Sequence, residues 1–170
     1  MIAIARETPD QRHDVLAVTR AAFGGNDEAI IIEKLTEAEL VTASLVAVSQ
    51  GQVVGHVLFS DLAVEVDGRK VSAVALAPLA VAPDFQDRGV GKRLVEAGIA
   101  EMRNAGIEAI IVLGHPHYYR RFGFSNEAIE HIASPFSGNE AFMGLELIRG
   151  VLVGGFGRCR YPAVFGIPDE

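Results

Sequence analysis

The residues with the clearest chemical content are Gln86, Asp87, Arg88, Gly89, Val90, Gly91, Lys92 and Arg93, where two glycines stand among cations just behind an apolar run. Glycines let a backbone approach a ligand with no Cβ in between. From Val90 onward, Leu94, Val95, Gly98, Ile99 and Met102 recur at helical spacing. A helix starting here points its unpaired amides and the positive end of its dipole at one spot, which suits a pyrophosphate. Arg88, Lys92 and Arg93 add full positive charge to it. Two common phosphate patterns fail on these residues. A Walker loop needs Ser or Thr after its lysine, but Arg93 follows Lys92, and Gln86 stands where the first glycine belongs. The dinucleotide fingerprint needs a third glycine where this chain has Leu94.

What the residues do match is Gln86-x-x-Gly89-x-Gly91 after Leu79-Ala80-Val81-x-Pro83, which resembles the acetyl-CoA loop of the GNAT superfamily of N-acetyltransferases. A second segment, GHPHYYRRFGF at 114–124, resembles that family's later strand end with its short aromatic helix. The two stand in the family's order, with a helix and a strand between them, and their wording is closest to the YhbS-like branch.

The resemblance implies acetyl-CoA as co-substrate and an amine-bearing acceptor, small molecule or protein. It implies that Leu79, Ala80 and Val81 offer main-chain groups to pantetheine, with an amide of that run as oxyanion donor. By the same resemblance residues 86–93 hold the pyrophosphate, and Tyr118, Tyr119 and Phe122 border the cofactor. Transfer from a thioester to an amine needs a bound donor, a neutral amine, oxyanion stabilisation and a proton for the departing thiolate. Tyr119 stands at the family's tyrosine in Tyr-x-x-x-Gly-Phe and is the expected acid, since a phenol with a pKa near ~10 is protonated at neutral pH; Tyr118 is the fallback. For the general base His56, Glu28, Asp61 and a chain of waters stay open. His56 in VVGHVLF reads equally as a core histidine, and Glu28, with Asp27 and Glu33, as a capping or surface carboxylate. No metal is expected: His115 and His117 lack a supporting cysteine or carboxylate cluster. Cys159 has no motif partner and reads as inert, and Arg120 and Arg121 as solvated.

These residues need elements to place them. Residues 2–5 read as an edge strand. Thr8, Pro9 and Asp10 start a helix running to about Phe23, and Asn26 or Asp27 caps a second one to about Glu37. Strands are expected at 44–49 and 53–62 around a Gln50-Gly51 turn, then at 64–66 and 71–73 around Asp67-Gly68. The cofactor strand, 74–81, contains Pro78, which predicts a bulge or a splayed, half-paired end. A helix over 89–105, stopped by Gly106, leads to an apolar strand at 107–113 and so to a parallel crossover. Beyond Phe124 the expected strands are 142–148 and one of 151–153 or 158–161. The fold class is α/β: a single GNAT-like domain over 1–170, a mixed, mostly antiparallel sheet with a V-shaped split between two parallel central strands, flanked by helices.

At 170 residues the chain can bury one sizeable core, and 49% hydrophobic content excludes a disordered chain. A net charge of −7 argues against a nucleic-acid binder. No apolar run nears the roughly 18 residues a bilayer requires, and the N-terminus lacks a signal-peptide layout, so no membrane partner and a cytoplasmic location are expected; a homodimer is left open. Two rival classes remain: a non-catalytic CoA-binding regulatory module of the same fold, and a nucleotide binder.

Overall fold

The computed structural model of this chain describes residues 1–167. Residues 168–170, the end of the expected 1–170 domain, lie outside the described residues. In chain order the elements are β1 (Ile2–Arg6), α1 (Arg12–Phe23), α2 (Asp27–Glu37), β2 (Val41–Ser49), β3 (Gln52–Val66), β4 (Arg69–Val81), α3 (Val90–Asn104), β5 (Ala109–Leu113), α4 (Pro116–Tyr119), β6 (Ile132–Ala133), β7 (Phe142–Glu146) and β8 (Gly157–Arg160). The strands form one mixed sheet ordered β1-β2-β3-β4-β5-β7, with β8 paired to β3 and β6. This is the mixed α/β fold expected from the sequence. No helix among the described residues is long and apolar enough to cross a membrane.

The hairpins follow from their turn residues. Gln50 and Gly51 adopt φ of 49° and 75°, Asp67 and Gly68 φ of 51° and 77°, the left-handed pairs that a two-residue hairpin needs. Two expectations are corrected here. Residues 53–62 and 64–66 form one strand, β3, and residues 71–73 and 74–81 form one strand, β4, because alternation inside β3 and β4 continues without a turn residue. Residues 151–153 are not a strand: the Val151 and Val153 amides donate to the Ile148 and Gly150 carbonyls in tight turns, so the closing strand is β8. β4 also continues through Pro78. Its parallel ladder to β5 covers only Ala73↔Ala109, Val74↔Ile110 and Ala75↔Ile111, although β4 runs on to Val81 and β5 to Leu113.

The chain divides into two compact units. The first holds Met1–Ser60 and Ala77–Glu101. Here α3 lies against β3 where side chains have been removed to admit it: a Cβ on Gly98 would sit 2.3 Å from the Phe59 ring, and one on Gly55 3.0 Å from Leu94. Phe59 and Leu94 are each 0% exposed; burying each of them fully contributes about 1.5–3 kcal/mol. Ile32 and Leu35 of α2 and Val15 of α1 complete this core. The second unit, Asp61–Leu76 with Met102–Glu170, is built on Val64, Val71, Ile111, Phe142 and Leu152, with Cys159 buried among them.

Candidate functional site

Between β4 and α3 the chain makes a tight turn with Asp87 at φ 61° and Gly89 at φ 79°. Nothing lies within 4 Å of the place a Gly89 Cβ would occupy, so glycine is required there by conformation and not by crowding. The Arg93 amide donates to the Gly89 carbonyl at 3.1 Å. This is the first bond of the helix returning to the turn, and the amides of Val90, Gly91 and Lys92 precede it at the positive end of the dipole. The Gln86 side chain turns back: its Nε2 donates to the Val81 carbonyl at 3.0 Å, closing the loop onto the end of β4.

The cations are deployed less uniformly than expected. Arg88 lies over the Phe85 ring at 5.4 Å, and Lys92 reaches Glu96 only at 3.8 Å in an exposed pair. Arg93 points elsewhere, donating to the Ile2 carbonyl of β1 at 2.7 Å. On β4, Leu79 and Val81 are half-buried and Ala80 is fully buried. The Ala82 amide just beyond donates to the Val54 carbonyl at 2.8 Å, fixing the strand end against β3.

In the second unit α4 carries the aromatic pair. Pro116 opens it at a position whose amide would be free in any case, and Gly123, at φ 98°, ends the following turn. Tyr119 is 8% exposed, edge-to-face with Tyr118 at 5.0 Å and with Phe124 at 5.7 Å. Gly114 makes room for it, since a Cβ there would come within 2.4 Å of the Tyr119 ring. Burial first, and the Tyr118 phenol second, push the Tyr119 pKa well above that of an ordinary tyrosine. The group therefore keeps its proton throughout the neutral range. Burial raises Tyr118 as well, opposed by the charge of Arg121. Arg121 is exposed, and it stacks on the Tyr118 ring at 4.3 Å and donates to the Tyr118 carbonyl at 3.1 Å. Phe122 packs against both tyrosines.

The candidates for a base fall in different surroundings. Glu28 is half-buried in the first turn of α2, and Asp61 is exposed on β3. His56 is 0% exposed. Its Nε2 lies 2.7 Å from Ser44 Oγ, whose hydroxyl donates to Glu7 Oε1 at 2.7 Å. With the Ser44 proton committed to Glu7, the network assigns the imidazole proton to Nε2, donating to Ser44. Arg12 completes the chain with two bonds to Glu7, each 2.7 Å. Burial would raise the Glu7 pKa, but the hydrogen bonds from Arg12 and Ser44 and the Arg12 charge outweigh it and hold it low. Burial pulls His56 down to about 4, with Glu7 opposing and Arg12 adding to the shift. The structure places His56 inside the protein, 0% exposed and held neutral near pH 7 by burial. Sequence spacing gave no sign of the Arg12, Glu7 and Ser44 chain, because Glu7 lies in the link after β1, Arg12 on α1 and Ser44 on β2, with no shared motif. Among the described residues no cluster of three or more His, Cys, Asp or Glu gathers to hold a metal, and Cys159 is buried with its thiol pushed up to about 12 by burial.

A family model described as an acetyltransferase (GNAT) domain matches residues 3–126. The uncharacterized N-acetyltransferase YhbS of Escherichia coli is 34% identical over 136 residues, covering 79% of this chain and 80% of that protein. The uncharacterized N-acetyltransferase YjhQ of the same organism is 40% identical over 113 residues, 65% of this chain; the match spans 62% of YjhQ, less than two thirds of its length. Among solved structures, E. coli YhbS in complex with CoA superposes with a TM-score of 0.88 at 32% identity, covering 97% of this chain and 92% of that one. A GNAT family acetyltransferase from Brucella melitensis in complex with acetyl-CoA gives 0.79 at 31% identity, covering 97% and 98%.

Proposed function

The chain belongs to the GNAT family of acetyltransferases, in its YhbS-like branch, and from that premise we propose that it moves the acetyl group of acetyl-CoA to the nitrogen of an amine, on a small molecule or a protein, as one cytoplasmic domain. The amine nitrogen attacks the thioester carbonyl directly in a ternary complex. A C–N bond forms, the C–S bond breaks, the amine gives up a proton and the CoA thiolate gains one. The observation that carries the reading is the turn at residues 86–93: a left-handed Gly89 opens α3 with its amides ahead of the first helical bond. The CoA and acetyl-CoA complexes of the two similar structures support it.

Roles follow from the chemistry each group has available. The amides of residues 87–92 hold the pyrophosphate, with Arg88 and Lys92 adding charge. Main-chain groups of Leu79, Ala80 and Val81 take the pantetheine arm, and an amide of that run stabilises the oxyanion. Tyr119, protonated and bordered by Tyr118 and Phe122, supplies the thiolate's proton. Glu28, the half-buried carboxylate of α2, accepts the amine's proton through water; His56 is given no part in proton transfer. No residue is placed as a nucleophile, so no acyl-enzyme forms.

The test is acetyl-CoA with a broad panel of amines, following free thiol, alongside calorimetric titration of CoA, ATP and NAD. The reading expects CoA to bind most tightly and at least one amine to release thiol above the hydrolysis background. CoA binding with no turnover across the panel would favour a regulatory module, and tighter ATP or NAD binding a nucleotide binder.

A further inference from the structure

His56 faces one side of β3 and α3 lies on the other. Gly55 and Phe59 meet Leu94 and Gly98 of α3, and side chains alternate along a strand, so His56, next to Gly55, points away from that helix. The side it faces is tied to α1 and α2 by one run of hydrogen bonds. His56 Nε2 meets Ser44 of β2, and Ser44 Oγ donates to Glu7, whose side chain is 6% exposed. Glu7 also donates its amide to the Ser44 carbonyl at 2.9 Å, and its carboxylate takes two bonds from Arg12 of α1. The third nitrogen of that guanidinium, Nη1, donates to Thr36 of α2 at 2.7 Å. One side chain therefore holds both helices to the sheet.

The other ring nitrogen of His56, Nδ1, is buried and has no hydrogen-bond partner among the described residues. With Nε2 donating to Ser44, Nδ1 is where a second proton must go. An imidazolium here would carry a buried N–H with no acceptor, which costs far more than the same cation in water. Burial accordingly sets the proton affinity of the ring first, holding it at about 4 against 6.5; of the charged groups facing it, Glu7 of the β1–α1 link favours the cation and Arg12 of α1 opposes it. From α2 come Thr36 and Glu33, both acting on Arg12. Residues 77–81 of the neighbouring β4 carry no titratable side chain. Water can reach Nδ1 only if something moves. β3 is paired on both edges and backed by α3, so the part that gives way is the helical pair.

We propose that Arg12, Glu7, Ser44 and His56 form an acid-released catch: a proton taken at His56 Nδ1 lets α1 and α2 lift from the sheet together, while β2, β3 and α3 keep their places. The two helices move as one because Arg12 grips both. The catch does not depend on acetyl transfer and is tested without acetyl-CoA.

The experiment follows hydrogen exchange of the full chain by NMR at pH 7.5 and 5, over a series of low urea concentrations, with each rate divided by that of an unfolded chain at the same pH. At pH 5 the amides of α1 and α2 should exchange together, at least about tenfold faster than those of β3 and α3 and with a weaker urea dependence, the mark of a local opening. Their opening should be about 30-fold more frequent at pH 5 than at pH 7.5, as one proton bound at 6.5 in water and at about 4 in the folded chain requires. His56→Gln should cut that rise to less than about threefold. Helices that exchange only with the sheet, in one global event, overturn the proposal, as do helices that open separately or with no dependence on pH. Ring nitrogen shifts placing the neutral proton of His56 on Nδ1 would overturn it too. Those readings need no substitution, so they stand even if the variant folds poorly.

Discussion

At residues 86–93 the backbone is left open and side chains stay clear of it, whereas at 114–124 rings fill the available space and the polar atom of interest sits among them. Around Gly89 nothing stands within 4 Å of a would-be Cβ; around Gly114 the Tyr119 ring stands at 2.4 Å. The first region is shaped by conformation, the second by packing. A group that must grip a charged ligand through amides benefits from exposed, preset geometry. A group that must keep a proton until a thiolate appears benefits from burial, which raises its pKa. Glycine serves both ends, as a permitted φ in one and as missing volume in the other.

The most forceful way to break this comparison is Tyr119→Phe. Loss of a positioned acid should lower kcat about 100-fold or more with CoA affinity almost unchanged by calorimetry; unaltered turnover would move the acid elsewhere.

Acid should act next, on His56 and Glu7 in the first unit and on Asp67 in the second, whose carboxyl is held low by the Phe156 and Gly155 amides. In the second unit the buried Tyr119 and Cys159 titrate far above neutrality, so acid leaves them as they are. In the first, His56 is neutral when folded down to about pH 4 but takes a proton near its ordinary value of 6.5 when unfolded. The unfolded state thus binds the extra proton, and stability falls as pH drops from about 6.5 to about 4, by on the order of 3 kcal/mol. The contribution of Glu7, whose folded pKa is lowered, is present above its unfolded value and lost as pH falls through the lower folded one. Urea unfolding at pH 7 and 4.5 measures the loss, and His56→Gln should flatten it whatever its own stability.

At the turn, Gly89→Val forces a β-branched residue to φ 79°, a strain of about 1–3 kcal/mol. Relief by shifting the turn should weaken CoA about tenfold, read by calorimetry. A CoA affinity within twofold of the parent would mean that the turn's shape is not what grips the ligand. The smallest effect is expected for Gln86→Ala, which removes the bond to the Val81 carbonyl. A net bond of about 1 kcal/mol corresponds to roughly a fivefold loss in CoA affinity.

The turn was legible in the sequence because its demands are local: a left-handed residue needs glycine, a helix start needs free amides, and both are written within eight residues. The hairpins at Gln50-Gly51 and Asp67-Gly68 were legible for the same reason. The unbroken length of β3 and β4 was not: the breaks expected at residue 63 and between 73 and 74 carry no turn residue, and only the folded chain shows the strands running through them. Residues 151–153 looked like a strand because Val-Leu-Val suits one, yet turn bonds on either side took their amides. The partners of His56 depend on residues brought together from separate parts of the chain, which no spacing announces. Asn126 likewise reads as an ordinary loop residue until it is seen joining Glu140 and Phe142.

One contact at the edge of the first unit reaches further than its size. Because Arg93 is fastened to the Ile2 carbonyl, the opening strand acts as a splint for α3. Shortening or re-registering that strand would release a guanidinium onto the first helical turn. A stretch of Ile and Ala with no reactivity of its own thus fixes where one of the three cations of residues 86–93 points.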